Sequence, residues 1–120
     1  MNRPEDRPAD EKAQPSWQRT PCPQWCARVH EEGDHPEDRY HQSEPTFFPA
    51  IVSTHATTPI MDSFEGIDML ARVCQYVDDV VAWVAIEPAE RREPRLVLTV
   101  ESAQLLERGL AAQLARHSES

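Results

Sequence analysis

The stretch CPQWCARVHEEGDHPEDRYH, residues 22–41, gathers two cysteines, three histidines and a tryptophan. Thiolates and imidazoles are the donors that zinc takes in a tetrahedral site. Cys22, Cys26 and His30 follow one another with three residues between each. If the chain coils there, this spacing puts the three side chains on one side of a helical turn. A fourth ligand must come from further along, and His35 and His41 are the candidates. Ten residues separate His30 from His41, enough for a loop that returns to the ion. His35 precedes Pro36, which biases it toward extended backbone. His41 stands beside Tyr40, just ahead of the first strand-like segment, and is the better placed of the two. The expected set is therefore Cys22, Cys26, His30 and His41 around a structural zinc. Trp25 would shield one side of the site, and the surrounding acidic residues favour a cation. The spacing matches none of the common C-x2-C finger patterns.

The same residues admit other chemistry. Oxidation could join Cys22 to Cys26 and release the ion, a redox-sensor reading. A Cys/His sensor pattern of the order His-x3-Cys-x2-Cys differs from this one in order and spacing. A zinc-dependent hydrolase would keep one coordination position open and need a nearby base, for which Glu31, Glu32 or Glu37 could serve. With three glycines in the chain there is no phosphate-cradling loop, and neither G-x-S-x-G nor H-E-x-x-H occurs. The expected role is non-enzymatic.

Composition narrows the partners. The chain has 120 residues and a formal charge of −9, with a pI near 4.9. Duplex binding needs Lys and Arg to displace counterions, so the small basic cluster Arg91, Arg92 and Arg95, even with Arg28 and Arg39, does not make nucleic acid the expected partner. Anionic membrane is disfavoured for the same reason, and no apolar run approaches the roughly 20 residues of a span. A protein partner is the expectation, with the oligomeric state open. The N-terminus shows no secretion-signal pattern, so a cytoplasmic location is expected. In that compartment three cysteines rarely form a disulfide framework. Cys74, in an apolar run, reads as a small buried hydrophobe; His55 and His117 read as surface residues. Arginine outnumbers lysine eleven to one, the single lysine being Lys12, which suggests a high-GC genome.

The elements that must hold the cluster follow from texture. Residues 1–19 are nearly all polar or proline and read as a disordered tail, although Trp17 could dock on the domain. Residues 20–45, with four prolines and Gly33, form a loop-rich knuckle. Residues 46–117 carry the domain. TFFPAIVSTHATT suggests a strand over 47–55, with Pro49 confining it to an edge or bulge. PIMDSFEG reads as a connection. IDMLARVCQYVDDVVAWVAIEP fits either a helix, by the spacing of Ile67, Leu70, Cys74, Val77 and Val81, or a hairpin of 69–77 and 80–87 turned at Asp78-Asp79. Its valines favour the hairpin. Leu96–Val100 suggests a short strand. Thr99 then caps a helix whose Ala103, Leu106, Leu110 and Leu114 would line a sheet-facing side, with Gly109 as a close-packing contact. The fold class expected is α+β: a three- or four-stranded antiparallel sheet with a C-terminal helix on one face. So small a core is marginal, and a structural metal is a usual remedy.

The segments CPQWCARVH, HPEDRYHQS, WVAIE and LVLTVESAQLLERGLAAQL together resemble a family of small actinobacterial proteins of unknown function with a C-P-x-W-C-x3-H segment. The resemblance covers about residues 20–117 and leaves the first 19 outside. It implies that Cys22, Trp25, Cys26, His30 and His41 are family positions, and it implies no activity.

Overall fold

One thirteen-residue strand, hydrogen-bonded on both sides, organises the computed structural model, which describes residues 14–53, 64–90 and 96–119. β3 spans Phe64–Tyr76 and β4 spans Trp83–Pro88. They pair antiparallel from Met69↔Pro88 to Cys74↔Trp83, so the hairpin reading holds over the helical one for this segment. The turn works because Asp78 takes a left-handed conformation (φ 66°), a region where Asp is among the enriched non-glycine residues. Asp79 then caps the far side, its Oδ1 accepting from the Val80 amide at 2.6 Å. β3 starts earlier than expected. Phe64–Gly66, read as part of a connection, pair with Ile51–Ser53.

β1 (Tyr40–Gln42) and β2 (Thr46–Ser53) both run antiparallel to β3. Gln42 faces Cys74 and Thr46 faces Ala71. Three residues, 43–45, thus oppose two, 72 and 73, which makes a β-bulge. Ser43 fills it, donating its amide to Val73 O at 3.0 Å and accepting from the Val73 amide on its hydroxyl at 3.0 Å. Pro45 is tolerated in the bulge, and Pro49 because β2 is paired only with β3 among the described residues. β5 (Leu96–Thr99) pairs antiparallel with β4 and completes a sheet of order β1–β3–β4–β5, with β2 beside β3. The α+β class is as expected. Among the described residues the sheet has five strands, because the short β1 lies within the segment read as loop and the bulge divides it from β2.

Alternation puts Leu70, Arg72, Cys74 and Tyr76 on one face of the sheet, together with their partners Phe47, Glu87, Ala85, Trp83 and Tyr40. His41, Val73, Val84 and Ile86 lie on the other. Leu70 and Ala85 are the buried hydrophobic residues among those described. Cys74 is half-buried rather than buried.

α1 (Val100–Ser118) follows β5 directly. Thr99 is its N-cap as expected, accepting from the Ser102 amide at 3.1 Å, with Glu101 in the first turn and Arg116 and His117 in the last. The expected burial of its apolar stripe is corrected. No residue of α1 is buried: Ala103 and Leu106 are half-covered, whereas Leu110 is 54% exposed and Leu114 67%. The helix touches the sheet through its first turns and extends past it. Gly109 makes no close contact, since a Cβ there would meet nothing within 4 Å. His117 is exposed. His55 and the arginine cluster 91, 92 and 95 lie outside the described residues.

Candidate metal centre

Cys22 and Cys26 sit on either side of a tight turn at Gln24-Trp25, closed by the Cys26 amide donating to Pro23 O at 3.1 Å. Pro21 and Pro23 keep this segment out of helix, so the coil suggested by the four-residue spacing is not what unites the donors. The chain instead runs on without helical structure. Ala27 N donates to Gln42 O at 2.8 Å, fastening the knuckle to the edge strand β1. A second turn at Glu32-Gly33, held by Asp34 N to Glu31 O at 3.1 Å and Glu31 N to Asp34 Oδ2 at 3.0 Å, reverses its direction. A single helical turn, Pro36–Asp38, then delivers Tyr40 and His41 to the sheet.

These paths bring four donors together. The ligating atoms of Cys22, Cys26, His30 and His41 all lie within 4.8 Å of one another. His30 Nε2 stands 3.6 Å from Cys26 Sγ and 3.3 Å from His41 Nδ1. A tetrahedral zinc with Zn–S near 2.3 Å and Zn–N near 2.05 Å has an S···N edge of about 3.6 Å and an N···N edge of about 3.3 Å. The donor set and both distances fit the ion. His35 points elsewhere. It caps the Pro36–Asp38 turn, its Nδ1 accepting from the Glu37 amide at 3.2 Å, and its side chain is 66% exposed. Of the two candidates, His41 is the one in the cluster, and at 3% exposure it is almost wholly buried.

Electrostatics suit the ligand states. Burial lowers the pKa of both His30 and His41 below the usual imidazole value, with Arg28 adding to the effect on His30 and His30 adding to it on His41. Neutral imidazoles are the form a metal requires. Burial pushes the Cys22 thiol up, partly offset by a hydrogen bond from Gln18. A cation in the cluster would reverse that shift, since coordination deprotonates a thiol outright.

Residues 14–19, placed by sequence in the tail, lie across the cluster. Ser16 donates its amide to Glu32 Oε1 at 2.8 Å and its hydroxyl to Glu32 Oε2, which holds that carboxylate below its ordinary pKa. Trp17 Nε1 donates to Glu31 O at 3.0 Å, and the indole meets His30 edge-on at 5.8 Å with the Arg39 guanidinium 4.9 Å from its centre. Trp17 therefore docks. Gln18 is buried at 6% exposure. Its Nε2 donates to Thr20 O at 2.8 Å and approaches Cys22 Sγ at 3.5 Å. Asp78, at the hairpin turn, accepts from Arg19 N at 3.2 Å and Thr20 Oγ1 at 3.0 Å. Trp25 flanks His41 edge-on at 6.2 Å, the shielding place expected for it. Sequence reasoning missed Gln18 and Asp78 as supports because a polar, proline-rich stretch carries no apolar periodicity. The usable signal was their neighbours: Trp17 close before the first thiol, and a Thr-Pro-Cys-Pro run too stiff to drift away.

His30 Nδ1 is buried with no hydrogen-bond partner. The Trp17 indole lies against the same ring, centroid to centroid 5.8 Å. With Nε2 holding a cation, the imidazole's remaining proton would sit on Nδ1.

A family model described as a domain of unknown function (DUF6907) matches residues 8–119. The chain belongs to this family. The match begins well before residue 20, so the family's extent takes in the Ser16–Gln18 strap as well as the knuckle and sheet. No curated protein and no solved structure matches the chain. Among the described residues no helix is long and apolar enough to cross a membrane.

Proposed function

We propose that the chain is a small, non-enzymatic protein-binding module whose Cys/His knuckle is held in shape by one structural zinc ion on Cys22, Cys26, His30 and His41. The observation that supports this reading is the pair of distances at His30 Nε2, 3.6 Å to sulfur and 3.3 Å to nitrogen, which match the edges expected of a zinc tetrahedron. When bound, zinc would supply a four-way cross-link between the knuckle turn, the 27–30 segment and β1. Four protein donors fill a tetrahedron, leaving no position for water or substrate, which supports a structural ion over a catalytic one. The knuckle 20–45 and the domain 46–117 are in this view one unit, joined through Ala27–Gln42 and His41.

The lineage reading is actinobacterial, supported by the arginine-rich composition and the C-P-x-W-C-x3-H segment. Thiolate ligands persist where thiols stay reduced, which supports a cytoplasmic location. The charge of −9 favours protein partners over nucleic acid.

Elemental analysis of purified protein tests the metal. About one zinc per chain is expected, and fewer than about 0.3 in protein that is nonetheless folded contradicts the reading. One observation favours a redox-responsive version: Cys22 is exposed and its sulfur shares the cluster with Cys26. Peroxide would oxidise the two thiolates to a disulfide, itself reduced to water, and zinc would leave. Unchanged zinc content under mild peroxide counts against that version alone.

A further inference from the structure

The sheet face opposite His41 carries large, exposed apolar side chains around a buried centre of Leu70 and Ala85; at one end Tyr40 meets Tyr76 edge-on, with the Arg28 guanidinium over Tyr40. Phe47 is 61% exposed, Ile51 78%, Phe64 60%, Tyr76 51% and Val97 40%. Register places all of them on the face of Leu70 and Ala85. Near Tyr76, Trp83 and Cys74 the face is hollowed into a cavity of about 430 Å3. An exposed face of this extent marks an interaction surface.

The charges on that face say what fits it. Along β3 the residues pointing this way are the even-numbered ones, 64 to 76, with Leu70 at the middle. Asp68 lies one step to one side of Leu70 and Arg72 one step to the other. A second copy laid face to face, its β3 antiparallel and centred on Leu70, sets each Arg72 against the second copy's Asp68. Both pairs form from one two-fold axis, as an isologous interface requires. The axis passes over Leu70, itself buried within its own sheet, so the exposed Phe47, Ile51 and Phe64 make the apolar contact, and the Phe64 end of each strand lies toward the hollow at the other's Tyr76 end. Arg72 already contacts Glu87, at a long 3.9 Å; a guanidinium has five donors and can serve both carboxylates.

The area is sufficient. β3 runs about 43 Å at 3.3 Å per residue, the sheet is about 19 Å across at 4.8 Å per strand, and the outer strands are shorter, giving on the order of 600 Å2 per chain. Two such faces bury more than about 1,000 Å2, the size a specific interface needs. Two antiparallel sheets packed this way are the ordinary aligned sandwich.

We infer that the chain forms a two-fold homodimer through this face, with β3 antiparallel to itself about Leu70. The inference deepens the protein-binding part of the proposed function by naming the partner as a second copy, and it does not depend on the metal. Sedimentation equilibrium of the full chain reads it directly. The expected mass is twice 13.7 kDa. Asp68→Arg places arginine against arginine, and Arg72→Asp places aspartate against aspartate; each alone is expected to weaken the dimer about tenfold or more. Mixed one to one, the two variants restore both ion pairs and are expected to form the dimer together. Phe64→Glu, at a highly exposed site, is a second variant expected to dissociate it. Circular dichroism on each variant establishes that the sheet is retained.

A mass of 13.7 kDa at every concentration overturns the inference. So does a dimer that all three variants leave intact, or singly weakened variants that fail to pair on mixing. Zinc content measured on the same samples decides the metal reading separately.

Discussion

At the residue scale, the groups around the four donors decide how firmly an ion would be held. Gln18 is the residue outside the ligand set with most to do, since its buried amide reaches Cys22 Sγ at 3.5 Å. Outer partners of this kind typically set a 10–100-fold difference in metal affinity. Gln18→Ala is expected to weaken zinc retention by about that range in a chelator competition, with the sheet's circular dichroism unchanged. Retention equal to the parent would show that the contact does not support the ligand. The two histidines and the thiols respond oppositely to pH. Free thiols ordinarily ionise near 8.5, and burial raises Cys22 further, so zinc must expel thiol protons at neutral pH. His30 and His41 are already neutral there, their pKa values lying below 6.5. Binding at pH 7 is therefore expected to release about two protons per ion, measured by calorimetry in buffers of different ionisation heat, and less than about one would contradict the ligand set. In the ion-free chain the same lowered histidine pKa values mean that the unfolded state takes up protons first. Stability then falls as pH drops through 6.5.

At the scale of elements, α1 gives the cleanest test of packing. Gly109 is in open space and mid-helix, so Gly109→Ala is expected to stabilise by up to about 1 kcal/mol. Thr99→Ala removes the cap on Ser102 N and is expected to cost about 1 kcal/mol. Thermal melts read both, and a destabilising Gly109→Ala would restore the close-packing role that the sequence suggests. The two residues show what was legible. Thr99, with Glu101 behind it, is a local signal, and local signals survive folding. The role of Gly109 and the stripe Leu110–Leu114 depends on how far a sheet extends beneath a helix, and β5 stops at four residues. The hairpin was legible for a similar reason: Asp78-Asp79 and the flanking valines are local. The bulge at 43–45 was not, because a register shift is a property of two strands, and Ser43 answers only to Val73. In the knuckle the ligand identities were legible from type and spacing. The way they converge was not, since prolines divert the backbone from the coil that the spacing suggested.

At the scale of the molecule, two features mark the described residues: few buried side chains and a concentrated Cys/His cluster. Leu70 and Ala85 are slender support for a domain, and small domains rely on metals or oligomers for what their cores lack. The proposed zinc and the proposed second copy supply this from opposite faces of the same sheet, His41 on one and Leu70 on the other. The metal is the central claim, and X-ray absorption at the zinc edge tests it most directly. Two sulfurs at about 2.3 Å and two nitrogens at about 2.0 Å are the expected first coordination sphere. A sphere of light atoms alone, or one with a bound water in place of a histidine, would contradict it.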